Sequence, residues 1–551
     1  MNNTLLNHFD GICDEKYISL KQKVIRNLNL CNDIKDEIEA FKTVEQSAEI
    51  LDYLITYIRN IIRMGFSDDN LNVELDFLYD YDDKNQMILN QMLPKLKIIL
   101  EQGKSEILNE YNFFFKRISA EHTTSPVDCF SEYKDISFVL EHYQNAISKQ
   151  VGGKGSIADL FLSYQVSDNL SRNDMHDELL REIQNLEDSI IDLFWFVKKY
   201  QNALSMSHDF GSPLEYIAEK YCISYQTVES VYAQTKQCKQ NISEFNNRFE
   251  EFGLKNQNII SLMMSPPKLN VITFSLSEAM NLSESCFMTL DKDFGKMIHK
   301  ARLEEWVDWK KRSGKLNGSY TNIIPFCKKS IISMSFDGSI SDVCKLAHEL
   351  GHAFHGICVS DYSFFNTDFS VITAEMFGLF CENYALIYLA KHFMKSKDKK
   401  QWKEEFYFNA LRTYYSNLVA FHFEKKAFDS LKDVSVSPTE LYRSTLFGLG
   451  LKQNDDIEEY GWMFRSQNFF PDYFYYNFVY IIGEAVSLSL IEMLMKEKID
   501  FKSIKAVLTQ SGVDNVDNLF GIINQDLHSQ AIYDIINTLD RIWDDFCKDF
   551  S

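Results

Sequence analysis

Residues 332–355 read ISMSFDGSISDVCKLAHELGHAFH, and the reading of the whole chain turns on them. SIISMSF (330–336) is rich in β-formers, and DGSISD (337–342) is a turn. Ser341 or Asp342 is placed to cap a helix running from Val343 to about Ile357. On that helix His348-Glu349-Leu350-Gly351-His352 forms an HExxH motif. Histidines at i and i+4 share one face, so both imidazoles can reach one Zn²⁺, with Glu349 close enough to take a proton from its water. The plain alternative is a helix carrying two half-buried histidines.

A catalytic zinc usually has three protein ligands and one open position. VITAEMFGLFCENYAL (371–386) reads as part of a second helix, Thr373 to His392, with Thr373 as its cap. It offers Glu375 and Glu382, seven residues apart and therefore on one face. Two aligned carboxylates on an otherwise apolar helix are costly to bury unless they meet a cation. Glu375, 23 residues after His352, is the expected third ligand. Glu382 is then an outer partner that holds a ligand imidazole in its tautomer. A solvated helix face is the alternative for both.

Upstream, Asp291 to Lys311 reads as a helix and RSGKLNGSY (312–320) as a glycine-containing turn. TNIIPF (321–326) and SIISMSF would then pair as a hairpin whose edge could bind a peptide backbone, with Gly314 and Gly318 letting a loop close over it. Tyr320 belongs to the same loop. His355, one turn past His352, is a candidate substrate contact or outer donor, against the plainer reading of a packed histidine.

Farther out the chain reads as helix. Ala48 to Met64 has apolar residues at helical spacing, and Gln86 to Leu100 is a helix broken by Pro94. VGGKGS (151–156) is a linker or turn, so residues 1–150 are expected as an N-terminal helical region and 151–551 as the catalytic region. Helices resume over Met175–Leu204 and Pro213–Phe252, LNVITFS (269–275) is a strand or extended segment, and the chain after about Gln401 is helical. Only 21 Gly and 8 Pro in 551 residues agree with a mainly α protein. The net charge of −22 has no offsetting basic block, which argues against a nucleic-acid partner. No stretch approaches about 18 uncharged apolar residues, so no membrane helix is expected. Eleven scattered cysteines, with no CxxC pair and no leader-like N-terminus, read as reduced thiols in a cytoplasmic protein.

Ile332–His355, AEMFGLFCEN (374–383), RSGKLNGSY and YNFVYIIGEA (476–485) together resemble the M3 family of zinc metallopeptidases, in its oligoendopeptidase F branch. The resemblance covers about Arg312 to Gly483. It implies a mainly α, two-lobed helical ellipsoid with a deep central channel that admits short unstructured peptides, and one zinc per chain. It assigns the metal to His348, His352 and Glu375 and the base to Glu349, a gluzincin arrangement. The family usually adds a histidine and tyrosines from a C-terminal segment as oxyanion donors. Here that segment is SQNFFPDYFYYNFVYIIG (466–483), with Tyr480, Tyr476 and Tyr473 as candidate donors in that order. No histidine lies between His422 and His528, and Asn468 or Phe470 stands in its place. The function so implied is a zinc endopeptidase of short peptides. A zinc carboxypeptidase or dipeptidase on a similar fold, or a weakened peptide-binding homologue, are the alternatives.

Overall fold

The computed structural model describes residues 11–548 apart from 32, 64–68, 104, 122–142, 144, 149–155, 159, 162–168, 238–271, 311, 313–314, 316–317, 433–434, 452–455 and 472–473. The chain divides into two compact units, each assembled from three stretches. The first comprises Met1–Ser119, Leu269–Phe393 and Glu497–Asn524; the second comprises Ala120–Lys268, Met394–Lys496 and Gln525–Ser551. The expected boundary at 150 falls outside the described residues.

Both units are mainly helical, as expected. In the first, helices Glu15–Cys31, Glu37–Arg63 and Asp69–Glu101 pack side by side. Pro94 lies inside the last of these without ending it, contrary to the expected break. The hydrogen bond a proline removes costs stability, but Leu89, Leu93 and Leu96 flank it and are buried against Phe41, Phe114 and Phe115, which holds the helix together.

The same unit carries a three-stranded sheet of β1 (Val307–Asp308), β2 (Tyr320–Ile324) and β3 (Lys329–Ser333), in the order β1-β3-β2. The expected hairpin is β2 antiparallel to β3, with Tyr320 opposite Ser333 and Ile324 opposite Lys329. A 3₁₀ turn at Pro325–Cys327 and a left-handed Lys328 (φ 50°) join them. β1 was not foreseen. The helix expected to reach Lys311 ends at Leu303, where Glu305 adopts φ 50° and Val307–Asp308 pairs in parallel with β3. The turn at 312–320 is fastened to this strand: Arg312 grips the Asp308 carboxylate at 2.7 and 2.8 Å, and Lys315 donates to the carbonyls of Asp308 and Met334. Phe274 N–H donates to the Gly338 carbonyl from an extended segment, not a strand.

The motif helix runs Ile340–Val359 and is capped by Ser339, whose hydroxyl accepts from Asp342 N–H; neither Ser341 nor Asp342 is the cap. The helix that carries the two carboxylates runs Val371–Phe393, with Ser370 Oγ, not Thr373, accepting the Ile372 N–H at its start. The apolar face of the motif helix, Leu346, Leu350, Ala353 and Phe354, is fully buried. Phe354 stacks on Phe294 at 4.2 Å and meets Phe377 and Phe501, the last from helix Phe501–Gln510. Each buried Phe or Leu contributes roughly 1.5–3 kcal/mol, so the polar face is held in place by an apolar one.

In the second unit, helices Asn169–Ser207, Lys399–Asp429, Asn477–Met495 and Ile535–Lys548 form the core. The expected single helix from Pro213 is instead Pro213–Lys220 and Tyr225–Gln237, parted where Cys222 takes φ 56°. Its expected end at Phe252 lies outside the described residues. Asn477–Met495, with mean hydropathy 1.7, is long and apolar enough to cross a membrane by length and composition, although Glu484 and Glu492 interrupt it. That apolar surface is spent inside the unit: the helix packs on Lys399–Asp429 and Ile535–Lys548, and Ile482, Val486 and Leu490 are fully buried.

Candidate metal centre

The motif helix and the Val371–Phe393 helix cross where each has a glycine. A Cβ on Gly351 would lie 2.9 Å from Cys381 Sγ, and one on Gly378 would lie 2.7 Å from His348 Nε2. The close approach allowed by these two glycines brings the polar faces of both helices together. His348 Nε2 lies 3.0 Å from His352 Nε2 and 3.3 Å from Glu375 Oε2, and His352 Nε2 lies 4.0 Å from the same oxygen. A tetrahedral zinc with ligands at 2.0–2.1 Å needs donor atoms roughly 3.3 Å apart. The three atoms, all within 4.8 Å of one another, fit one such ion.

The surrounding groups favour a cation at this point. Glu382 Oε2 lies 3.1 Å from His348 Nδ1. A carboxylate only accepts, so the imidazole proton sits on Nδ1 and Nε2 is left as the ligand atom. Burial alone would lower the His348 pKa, but Glu375 and Glu382 outweigh it and raise it well above the usual value. Burial, and then the neighbouring His348, push His352 down to about 4, which keeps its ring neutral. The donor set of two imidazoles and a carboxylate, inside a field that favours positive charge, therefore suits Zn²⁺.

Glu349 is 5% exposed. Its Oε2 accepts a 2.6 Å hydrogen bond from Thr321 Oγ1 on β2, which fixes the carboxyl beside the ligand cluster. Burial raises its pKa to about 7, against the lowering influence of His348 and Thr321. A carboxyl that exchanges its proton near neutrality is suited to general base work.

His348, Glu349, His352, Glu375 and Glu382 are thus gathered in the first unit. Tyr320 opens β2, and Gly318 takes φ 102° in the turn before it. His355 is fully buried, hydrogen-bonded through Nε2 to Ser511 Oγ at 2.7 Å and stacked on Phe369 at 3.7 Å. It has no surface left for a substrate and is a packing residue. Tyr476 and Tyr480 belong to the second unit, half-buried and edge to face with ring centroids 5.5 Å apart. Tyr473 and Gly314 lie outside the described residues. Asn468 is buried and donates to the Trp462 carbonyl, a structural hydrogen bond. Two residues had not been singled out. Thr321 offers no local pattern that would reveal it. Gly378 does leave a trace, as a side-chain-free position three residues after Glu375 on the same helix face.

The model of peptidase family M3 matches residues 280–534, the stretch that contains the HExxH helix and Glu375. Several curated relatives are oligoendopeptidases F, the branch that the motifs resemble. The chromosomal oligoendopeptidase F of Lactococcus lactis subsp. cremoris is 22% identical over 228 residues, which cover 39% of this chain and 36% of the relative. The matched chain thus spans about a third of that relative's length. Among solved structures, PZ peptidase A with inhibitor 2 superposes with a TM-score of 0.76 at 14% identity, over 96% of this chain and 97% of that one. Oligoendopeptidase-F from Enterococcus faecium does so with 0.64 at 11% identity, over 97% and 98%. At these identities the superpositions speak for the fold.

Proposed function

We propose that the chain is a zinc-dependent endopeptidase of short unstructured peptides. The observation that carries this reading is the convergence of His348 Nε2, His352 Nε2 and Glu375 Oε2, with a buried Glu349 held beside them. Zinc bound there would polarise a scissile carbonyl and acidify a water. Glu349 takes the proton that the attacking water gives up and returns it to the departing amide nitrogen. Thr321 keeps the Glu349 carboxyl turned toward the cluster, and Glu382 holds His348 in the ligand tautomer. β2 is an outer strand of its sheet, and its edge is the place where an extended peptide would pair. Tyr480, then Tyr476 and Tyr473, are the candidate donors to the developing oxyanion. Nine described cysteines are free thiols, which suits a cytoplasmic location.

The test is the zinc-loaded chain incubated with a mixed peptide library and read by mass spectrometry. Internal cuts in short peptides are expected, and they should vanish in Glu349→Gln. Cuts that persist in that variant would defeat the proposal. Cuts confined to one terminus would point to an exopeptidase. A weakened peptide-binding homologue is favoured by one observation, that no histidine lies between His422 and His528 and that Asn468 or Phe470 stands where the family has one. Tight peptide binding without turnover would decide for it.

A further inference from the structure

The second unit contains a cavity of about 560 Å³ between helices Asn169–Ser207, Pro213–Lys220 and Lys399–Asp429. That is within the size range of small-molecule sites, roughly 300–1,000 Å³. Its lining inverts the charge of the chain. Lys199, Lys425 and Lys432 face it, with Asp429 as the one acidic residue, a local balance of 3 − 1 = +2 in a protein of −22. Lys425 is already matched, since its Nζ lies 2.8 and 3.0 Å from the two Asp429 oxygens. Lys199 and Lys432 are exposed, and neither has an ion-pair partner among the described residues. These two charges, unmatched among the described residues, are therefore presented to whatever enters.

The rest of the lining sets the polar Asn202 and Ser212 beside apolar residues, and Tyr225, Phe428 and Tyr475 supply rings. Tyr475 is fixed: it is 1% exposed, adopts φ 56°, and donates its N–H to Glu424 Oε2 at 2.8 Å. A cavity with rigid rings and two unneutralised ammonium groups selects for a planar apolar body bearing two negative charges. A monocarboxylate would leave one lysine unmatched. We propose that this cavity is a binding site for a small aromatic phosphomonoester, its dianionic phosphate held by Lys199 and Lys432 and its ring against Tyr225 and Phe428, with Tyr475 buried behind them.

The site lies in a different unit from the proposed zinc ligands His348, His352 and Glu375, and the test keeps the two apart. Phenyl phosphate is titrated by calorimetry into the full zinc-loaded chain and into the same chain stripped of metal. One-to-one binding of equal affinity in both is expected, at least about tenfold tighter than inorganic phosphate. Lys199→Glu and Lys432→Glu, both at exposed positions, should each weaken it by about tenfold or more. No binding up to about 10 mM, an affinity equal to that of inorganic phosphate, binding that needs the metal, or binding unchanged in both lysine variants would each overturn the proposal.

Discussion

Gly378 has no side chain, and the His348 imidazole stands where one would be. A methyl there would press on Nε2 from 2.7 Å, and overpacking of this kind typically costs 1–3 kcal/mol. Gly378→Ala is therefore expected to weaken zinc affinity by about tenfold or more while the helices still form. Competition with a chromophoric chelator measures it, and unaltered affinity would show that the imidazole is free to move. Glu382→Gln removes the charge behind His348 Nδ1, and an outer carboxylate of this kind is worth about 10–100-fold in metal affinity. His348→Ala and Glu375→Ala should abolish zinc retention, whereas Glu349→Gln should keep zinc; equal zinc content in all of them would refute the ligand assignment. At this scale the HExxH residues and Glu375 were legible because ligand chemistry imposes residue types at fixed helical spacing. Thr321 was not, because it acts across the fold from a strand that no spacing links to Glu349, and Gly378 left only the trace of a missing side chain on the face of Glu375.

Among the elements, Lys399–Asp429 and Asn169–Ser207 are joined by a buried ion pair. Lys198 is 0% exposed and bonds Glu424 and Gln201, while Gln201 donates to the Phe470 carbonyl and Glu424 accepts from Tyr475 N–H. Burial outweighs Glu424 and lowers the Lys198 pKa, so the ammonium depends on this one counter-charge. Lys198→Met leaves Glu424 buried without it, and such a loss is worth roughly 3–5 kcal/mol. A clear fall in the thermal midpoint is expected, largely restored by adding Glu424→Gln; a single variant as stable as the parent would contradict this. The docking of the 312–320 turn should respond to acid. Burial alone would raise the Asp308 pKa, but Arg312 and Lys315 bring it below the usual carboxylate value. A depressed folded-state pKa gives a contribution that is full above the unfolded value, about 3.9, and lost as pH falls below it. Limited proteolysis of the turn at pH 7 and pH 3 checks this. Helix existence was largely readable from apolar spacing, but ends were not. Leu303 ends a helix because Val307–Asp308 finds a strand partner 25 residues later, and Pro94 fails to end one because its neighbours are buried.

For the whole molecule, metal binding is a statement about one unit. A ligand at 1,000 times its dissociation constant stabilises the state that binds it by about 4 kcal/mol, and every proposed zinc ligand lies on Ile340–Val359 or Val371–Phe393. Chelation should raise amide hydrogen exchange in these two helices and leave Lys399–Asp429 nearly unchanged; a uniform rise throughout would show that the units do not respond separately. The mainly helical class could be read from composition and periodicity. The threefold interleaving of the units could not, because it depends on contacts between distant stretches.

The packing of Phe501 on Phe354 and of Ser511 on His355 also bears on synthesis. The motif helix is backed by residues that leave the ribosome about 150 positions after it. A nascent chain that has just presented its two histidines still lacks the wall behind them, and its metal site closes only once the 497–524 stretch has emerged. Ribosome-bound chains halted after Phe393 should therefore take up zinc more weakly than chains halted well past Asn524, an order of events set by where the first unit keeps its third stretch.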